Sequence, residues 1–151
     1  MRQVRDDELI YRLFQATRGW TPSLRNGLAL DSAERRDHWV KVCGSVLANK
    51  LRNYMIFPAG EPAPLNELEL AALLIRSIAD WRPMLCRDFA SRIEGVQDKA
   101  RWTAAYIFND LLKDCEVLID GDNEPPPFRL PGDTGSGVKP REEAEYIAQW
   151  G

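Results

Sequence analysis

The sequence has little of the residue types on which catalytic and metal-binding chemistry commonly depends. Its 151 residues include one histidine, His38, and three cysteines, Cys43, Cys86 and Cys115. The cysteines are odd in number, widely spaced and not grouped with the histidine, so we expect neither a disulfide framework nor a zinc site. Because each cysteine lies among apolar residues, we expect all three to be small core residues of a cytoplasmic protein.

Long apolar runs and a large net charge are missing as well. No run approaches the roughly 18 residues of a membrane span, and residues 1–8 lack the apolar core of a signal peptide. The net charge of −3 is too small for a strongly basic nucleic-acid binder or for an acidic mimic of DNA. We therefore expect no association with a membrane.

Sequence motifs of the common enzyme classes are absent. His38 is an i,i+4 neighbour of Glu34 on the outer face of a predicted helix, and no local motif brings a nucleophile beside it. There is no GxSxG elbow and no phosphate loop of the GxGxxG or GxxxxGK[ST] type. We therefore predict a protein that is not an enzyme and carries no cofactor or metal. An enzyme that uses only carboxylates is the least favoured alternative.

Apolar residues recur with a helical period over most of the chain. Glycine and proline interrupt this pattern over residues 18–30 and 58–64, which are predicted to be non-helical connections. No segment shows convincing strand alternation, so the predicted fold class is all-α, a compact bundle of about five helices. The expected helices cover residues 6–17, 31–57, 66–81, 83–94 and 98–119.

The helix predicted over residues 66–81 is apolar on nearly every side. Asn66 and Glu69 have the spacing of a capping box at its start. A helix that is apolar nearly all round is buried, so we expect this one to be the central element of the bundle. In the preceding helix, Gly44 and Ala48 form a pair of small residues that permits close approach of another helix, expected to belong to the same chain.

The C-terminal part of the chain has a different composition. Residues 120–140 hold five prolines and four glycines in 21 positions, which predicts an extended arm or a disordered linker. Pro140 then opens a short terminal helix. The expected organisation is a helical bundle domain over residues 1–119, followed by an acidic, Pro/Gly-rich arm and short helix over residues 120–151.

Charge is distributed unevenly along the chain. Residues 1–57 carry ten basic against six acidic side chains, whereas residues 114–151 carry three against nine. The basic N-terminal third suggests an alternative function, that of a small nucleic-acid-associated subunit contacting phosphates. The basic residues of the predicted helix 31–57 scatter around its axis, however, instead of sharing one face. The residues assigned to this alternative are Arg2, Arg5, Arg12, Arg35, Lys41 and Arg52.

Two aromatic residues favour a protein partner instead. Trp102 and Tyr106 are i,i+4 neighbours on the side of their helix opposite the apolar stripe that faces the core. Large aromatic side chains on an outer face are frequent anchors of protein interfaces. Lys99 and Lys113 flank the pair on the same face. We therefore expect these four residues to form a partner-binding surface.

The arm offers two further residues, Phe128 and Leu130. They either join the partner-binding surface or fold back to cover the aromatic pair, and a helix packed on both sides is a third interpretation of the same pattern. On balance the sequence predicts a non-enzymatic helical protein-binding module, namely an adaptor, an assembly subunit or an accessory inhibitor of another protein. Its partner is expected to be another protein, or a second copy of this chain in a homo-oligomer.

Overall fold

The computed structural model describes residues 1–121. Within this range the chain forms six helices and three short strands. Their bounds are β1 Arg2–Gln3, α1 Asp6–Arg18, α2 Pro22–Leu28, α3 Ala33–Lys50, β2 Tyr54–Phe57, α4 Glu67–Ala79, α5 Pro83–Phe89, α6 Glu94–Leu111 and β3 Glu116–Ile119. The mainly helical character is confirmed. The expected arm and terminal helix lie outside the described residues, apart from Asp120 and Gly121.

A small antiparallel sheet modifies the predicted all-α fold. Its strand order is β1-β3-β2, and Ile56 of β2 lies opposite Val117 of the central strand β3. Both of these side chains are buried. Residues 54–57 and 116–119 were expected to end two long helices, and that expectation is wrong. Strands of four residues are too short to show alternation, and their pairing joins segments about sixty residues apart.

The segment predicted as a loop over residues 18–30 contains the short helix α2. Pro22 occupies its first turn, where the missing N–H costs nothing. Thr21 caps the helix, since its Oγ1 accepts a hydrogen bond from the backbone N–H of Leu24 at 3.3 Å. Gly27 lies where a Cβ atom would overlap the indole of Trp39 on α3. Pro22 and Gly27, two of the residues that suggested a loop, are therefore accommodated within helical structure.

The predicted boundaries of the last two helices also need correction. Residues 83–94 were expected to form one helix closed by Gly95, but α5 ends at Phe89 and Gly95 is the second residue of α6. The fifth predicted helix, over residues 98–119, begins earlier and stops at Leu111. Pro83 does occupy the first turn of α5, as predicted.

The helices pack in pairs around one hydrophobic core. Helix α3 lies along α4 and α1 lies along α6. The shorter α2 packs on α3, α5 packs on α6, and α2 and α5 contact each other. Gly44 sits at the α3–α4 contact, where an added Cβ would lie 3.1 Å from the backbone nitrogen of Ile75. The small pair of α3 thus serves an internal contact, as predicted. Rings of Trp20, Trp81 and Phe89 pack against one another at the other side of the core.

Helix α4 begins as predicted but does not occupy the centre of the fold. The capping box is present, because Asn66 Oδ1 accepts from the Glu69 N–H at 2.8 Å and Glu69 Oε1 accepts from the Asn66 N–H at 3.0 Å. Only four of the thirteen residues of α4 are buried, against seven of thirteen in α1. Leu68 is 83% exposed. Helix α4 is therefore not the most buried element. It packs mainly on α3 and only slightly on α6, which places it at the edge of the bundle with the side that carries Leu68 uncovered.

Candidate functional site

The aromatic pair predicted to face outward lies against another helix of the same chain. The indole of Trp102 stacks on the ring of Phe14, with centroids 3.8 Å apart and planes 10° apart, and Tyr11 lies 6.5 Å away. Trp102 and Tyr106 are both half-buried and pack on the core. Because α6 packs between α1 on one side and α5 on the other, the structure agrees with the interpretation of a helix covered on both sides.

The other residues assigned to that surface are placed only in part. Lys99 and Lys113 are exposed, and the Nζ atom of Lys113 lies 3.6 Å from Asp110 Oδ1. Phe128 and Leu130 lie outside the described residues. A partner-binding role for this set remains a prediction.

The basic residues assigned to nucleic-acid binding are mostly engaged with neighbouring side chains. Arg35 lies in the first turn of α3 and Arg52 lies two residues beyond its end, and this helix is about 27 Å long, so the two share no compact patch. Four of the six basic groups sit beside carboxylates and the other two donate to neutral oxygens. The pairs are Arg2–Glu8, Arg5–Asp7, Arg35–Asp31, Lys41–Asp37, Arg12–Tyr54 and Arg52–Asn49.

The Arg2–Glu8 pair joins the first strand to the first helix. Both terminal nitrogens of Arg2 donate to the Glu8 carboxylate, at 2.8 and 2.7 Å, and Glu8 is only 5% exposed. The hydrogen bonds from Arg2 lower the pKa of Glu8 below its usual value, against the opposing effect of burial. The pair is therefore a structural clamp, and Arg2 is committed to it.

Groups able to act as nucleophiles or metal ligands are dispersed in the described chain. His38 is exposed on α3, with its ring edge-on to Trp39 at 5.2 Å. Burial raises the pKa of the Cys43 thiol to about 12 and also raises the pKa of Cys86, so both are protonated near neutral pH. Among residues 1–121, no group of three or more histidine, cysteine, aspartate or glutamate side chains is placed to hold a metal ion.

A groove opens between the C-terminal halves of α4 and α6. Its volume is about 260 Å³. Its apolar lining consists of Leu73, Trp81, Ile107 and Leu111, and its polar lining of Arg76, Ser77 and Asp80. We call it the α4–α6 groove.

Beside the groove, the outer side of α4 is exposed, and Arg76 belongs to both. Leu68 lies about 140° around the helix axis from Leu73 of the groove lining. We define the α4 face as Leu68, Ala72, Leu73, Arg76 and Ala79, which are exposed except for the half-buried Leu73. Within the described part of the chain, Arg76 forms no ion pair or hydrogen bond. The sequence interpretation missed this surface because it took an apolar helix to be buried by its own chain. The same pattern is equally typical of a helix that a partner covers.

Comparisons with known proteins identify no relative of this chain. Neither the protein-family models, nor the curated proteins, nor the solved structures contain a match to this chain. Within residues 1–121, no helix is both long enough and apolar enough to cross a membrane.

Proposed function

We propose that the protein is a non-enzymatic binding module that docks another protein on the α4 face and the adjoining α4–α6 groove. The observation that carries this proposal is the position of α4. It is the most apolar of the four long helices, yet it lies at the edge of the bundle with Leu68 83% exposed. Covering such a surface yields about 25 cal/mol per Å² of apolar area before the costs of association.

The dimensions of the groove indicate what the partner inserts. A cavity of about 260 Å³ is smaller than the roughly 300–1,000 Å³ of a typical small-molecule site. It accommodates one or two apolar side chains, and Trp81 and Ile107 provide the apolar lining against which they would pack. A protein segment that inserts an anchor residue fits this site better than a metabolite does.

The charges around the groove indicate the chemistry of the partner. Arg76 and Asp80, about one helical turn apart, both line the groove, and within the described chain Arg76 forms no ion pair or hydrogen bond. An acidic side chain on the partner would pair with it once water is displaced. We therefore infer that the partner presents an amphipathic helix with apolar residues at i, i+3 or i+4 spacing and one acidic residue beside them.

The nucleic-acid alternative receives less support. Four of its six basic residues pair with carboxylates inside the chain, so fewer positive charges are available to phosphates. The three free cysteines favour a reducing compartment, and we propose that the protein acts in the cytoplasm.

Capture experiments with matched variants test the proposal. The full chain, its Leu68→Glu variant and its Ile93→Glu variant are immobilised and exposed to the same native extract. Ile93 is also exposed, at 66%, but precedes α6 and does not belong to the α4 face. We expect at least one protein to be retained by the native chain and by Ile93→Glu but not by Leu68→Glu. That protein, once purified, should bind Leu68→Glu at least tenfold more weakly in calorimetry, and an equal affinity for all three would contradict the proposal.

Analytical ultracentrifugation measures whether the chain is a monomer or a dimer, and so tests whether the partner is a second copy of this chain. A native dimer that becomes monomeric in Leu68→Glu and persists in Ile93→Glu would place self-association on the α4 face and would overturn the proposal of a different protein as the partner. A native monomer is the expected result.

A further inference from the structure

A second cavity, separate from the α4 face, lies where α2, α3 and α5 meet. Its volume is about 230 Å³. Two arginines from different helices line it, Arg36 of α3 and Arg87 of α5, together with Asp31. The remaining wall is apolar and includes Leu28 and Pro83. The cavity thus combines two arginine residues with an apolar wall.

Two contacts hold Arg36 in place, and within residues 1–121 it pairs with no carboxylate. Its Nε donates to the carbonyl oxygen of Ser32 at 3.3 Å, and its Nη1 lies 4.0 Å from the Cys86 sulfur. A guanidinium group has five N–H donors. The hydrogen bond to Ser32 uses one donor, and the long contact with the Cys86 sulfur uses a second donor only weakly. Arg36 is half-buried, so its orientation is set before a ligand arrives.

Arg87 adds a second uncompensated charge. Within residues 1–121 it forms no ion pair or hydrogen bond. The one acid in the lining, Asp31, is already engaged, because its Oδ1 lies 3.3 Å from Nη1 of Arg35. Arg101, by contrast, pairs with Asp98 at 2.7 Å. The lining therefore carries an excess of positive charge.

The cavity also lies at the start of the 18-residue helix α3. Ser32 is the N-cap of this helix, and its neighbour Asp31 lines the cavity. The positive end of a helix dipole favours an anion at this position. The positive end of the α3 dipole therefore acts in the same direction as the charges of Arg36 and Arg87, since all three favour an anion in the cavity.

We propose that this cavity binds a phosphate monoester. A phosphate carries a charge of about −1.5 to −2 near neutral pH and three acceptor oxygens, which suits two guanidinium groups that approach from separate helices. The wall formed by Leu28 and Pro83 accepts the carbon attached to the ester oxygen. The site does not depend on the α4 face, and either proposal can fail without the other.

Titration of the full chain with phosphate esters tests the site. Inorganic phosphate, glycerol 3-phosphate and a phosphoserine peptide are added while amide chemical shifts are followed at constant ionic strength. We expect saturable shifts confined to residues 28–36 and 83–87. Tighter binding of glycerol 3-phosphate identifies a free small ester, and tighter binding of the peptide identifies a phosphorylated partner. Absence of saturation, or equal shifts with sodium chloride, would overturn the proposal.

Matched variants separate the site from general charge effects. Arg87→Gln changes an exposed side chain that forms no ion pair or hydrogen bond within residues 1–121, so it should preserve folding. It should weaken phosphate binding about tenfold through loss of a charge-assisted hydrogen bond. Arg76→Gln removes an equally unpaired arginine from the α4 face and should leave phosphate binding unchanged. Equal weakening in both variants would contradict the site.

Discussion

The indole of Trp102 lies flat on the ring of Phe14, with centroids 3.8 Å apart and planes inclined by 10°. This contact joins α6 to α1 and packs the half-buried Trp102 against the hydrophobic core. Trp102→Ala should therefore lower the free energy of unfolding by about 3 kcal/mol, the low end of the range for large aromatic residues, because the side chain is only half-buried. Reversible denaturant unfolding measures the change. Trp102→Phe, which retains the stack, should recover most of the loss.

A loss below about 1 kcal/mol in Trp102→Ala would mean that the ring contributes little to the fold. In that case the sequence-based assignment of Trp102 to a partner-binding surface would regain support.

The close approach of α3 and α4 depends on Gly44. An added methyl group would lie 3.1 Å from the backbone nitrogen and 3.2 Å from the Cα atom of Ile75. Backbone atoms move aside less easily than the end of a flexible side chain does. Gly44→Ala should therefore lower the stability by about 1–3 kcal/mol. Gly95→Ala is the matched control, because a Cβ there meets nothing within 4 Å in the described structure. It should leave the stability unchanged or raise it by up to about 1 kcal/mol. A pair of equal thermal unfolding curves for the two variants would disprove the tight α3–α4 contact.

The buried Arg2–Glu8 pair predicts a pH-dependent contribution to stability. Arg2 holds the pKa of Glu8 below its usual value of 4.5, so the carboxylate stabilises the folded chain above that pH and loses this effect as the pH falls through the lowered pKa. Glu8→Gln should destabilise the protein by roughly 1–3 kcal/mol at pH 7. The difference from the native chain should shrink progressively below about pH 4.5.

The exposed pair of Asp37 and Lys41, 3.0 Å apart, provides the control for this experiment. Asp37→Asn should have no measurable effect on the free energy of unfolding at pH 7 or below about pH 4.5, because solvent screens the pair. A pH-independent loss in Glu8→Gln would show that the charge of Glu8 is not responsible for the effect.

Two leucines on different sides of α4, about 120° apart around its axis, should respond differently to the same substitution. Leu74 is fully buried against α3, whereas Leu68 is 83% exposed. Leu74→Ala should cost roughly 2–5 kcal/mol by leaving a cavity, and Leu68→Ala should change the stability by less than about 0.5 kcal/mol. Urea titration of the two variants measures both values. Similar losses would mean that α4 is buried on both sides, as the sequence alone suggested.

Local chemistry accounts for the features that the sequence predicted correctly. The capping box of Asn66 and Glu69 and the first-turn position of Pro83 depend on neighbours within four residues. The small pair beginning at Gly44 likewise predicted a close internal helix contact. These signals are complete within a short stretch of chain, so no knowledge of the rest of the fold is required.

Long-range packing accounts for what the sequence did not predict. The strand containing Ile56 acquires its conformation by pairing with Val117, and four apolar residues in a row predict helix and strand equally well. The exposure of Leu68 depends on which helices happen to cover α4. Periodicity shows that a helix face is apolar, but it does not show whether the same chain or a partner covers it.

Hydrogen exchange of the protein in complex with its captured partner tests the central claim most directly. The amides of α4 and of the facing part of α6 around Ile107 and Leu111 are compared with and without the partner, and α2 serves as the internal reference. We predict slower exchange in α4 and in the C-terminal half of α6, with α2 unchanged. Protection confined to the surface around Lys99 and Trp102, with α4 unaffected, would contradict the assignment of the α4 face as the docking site.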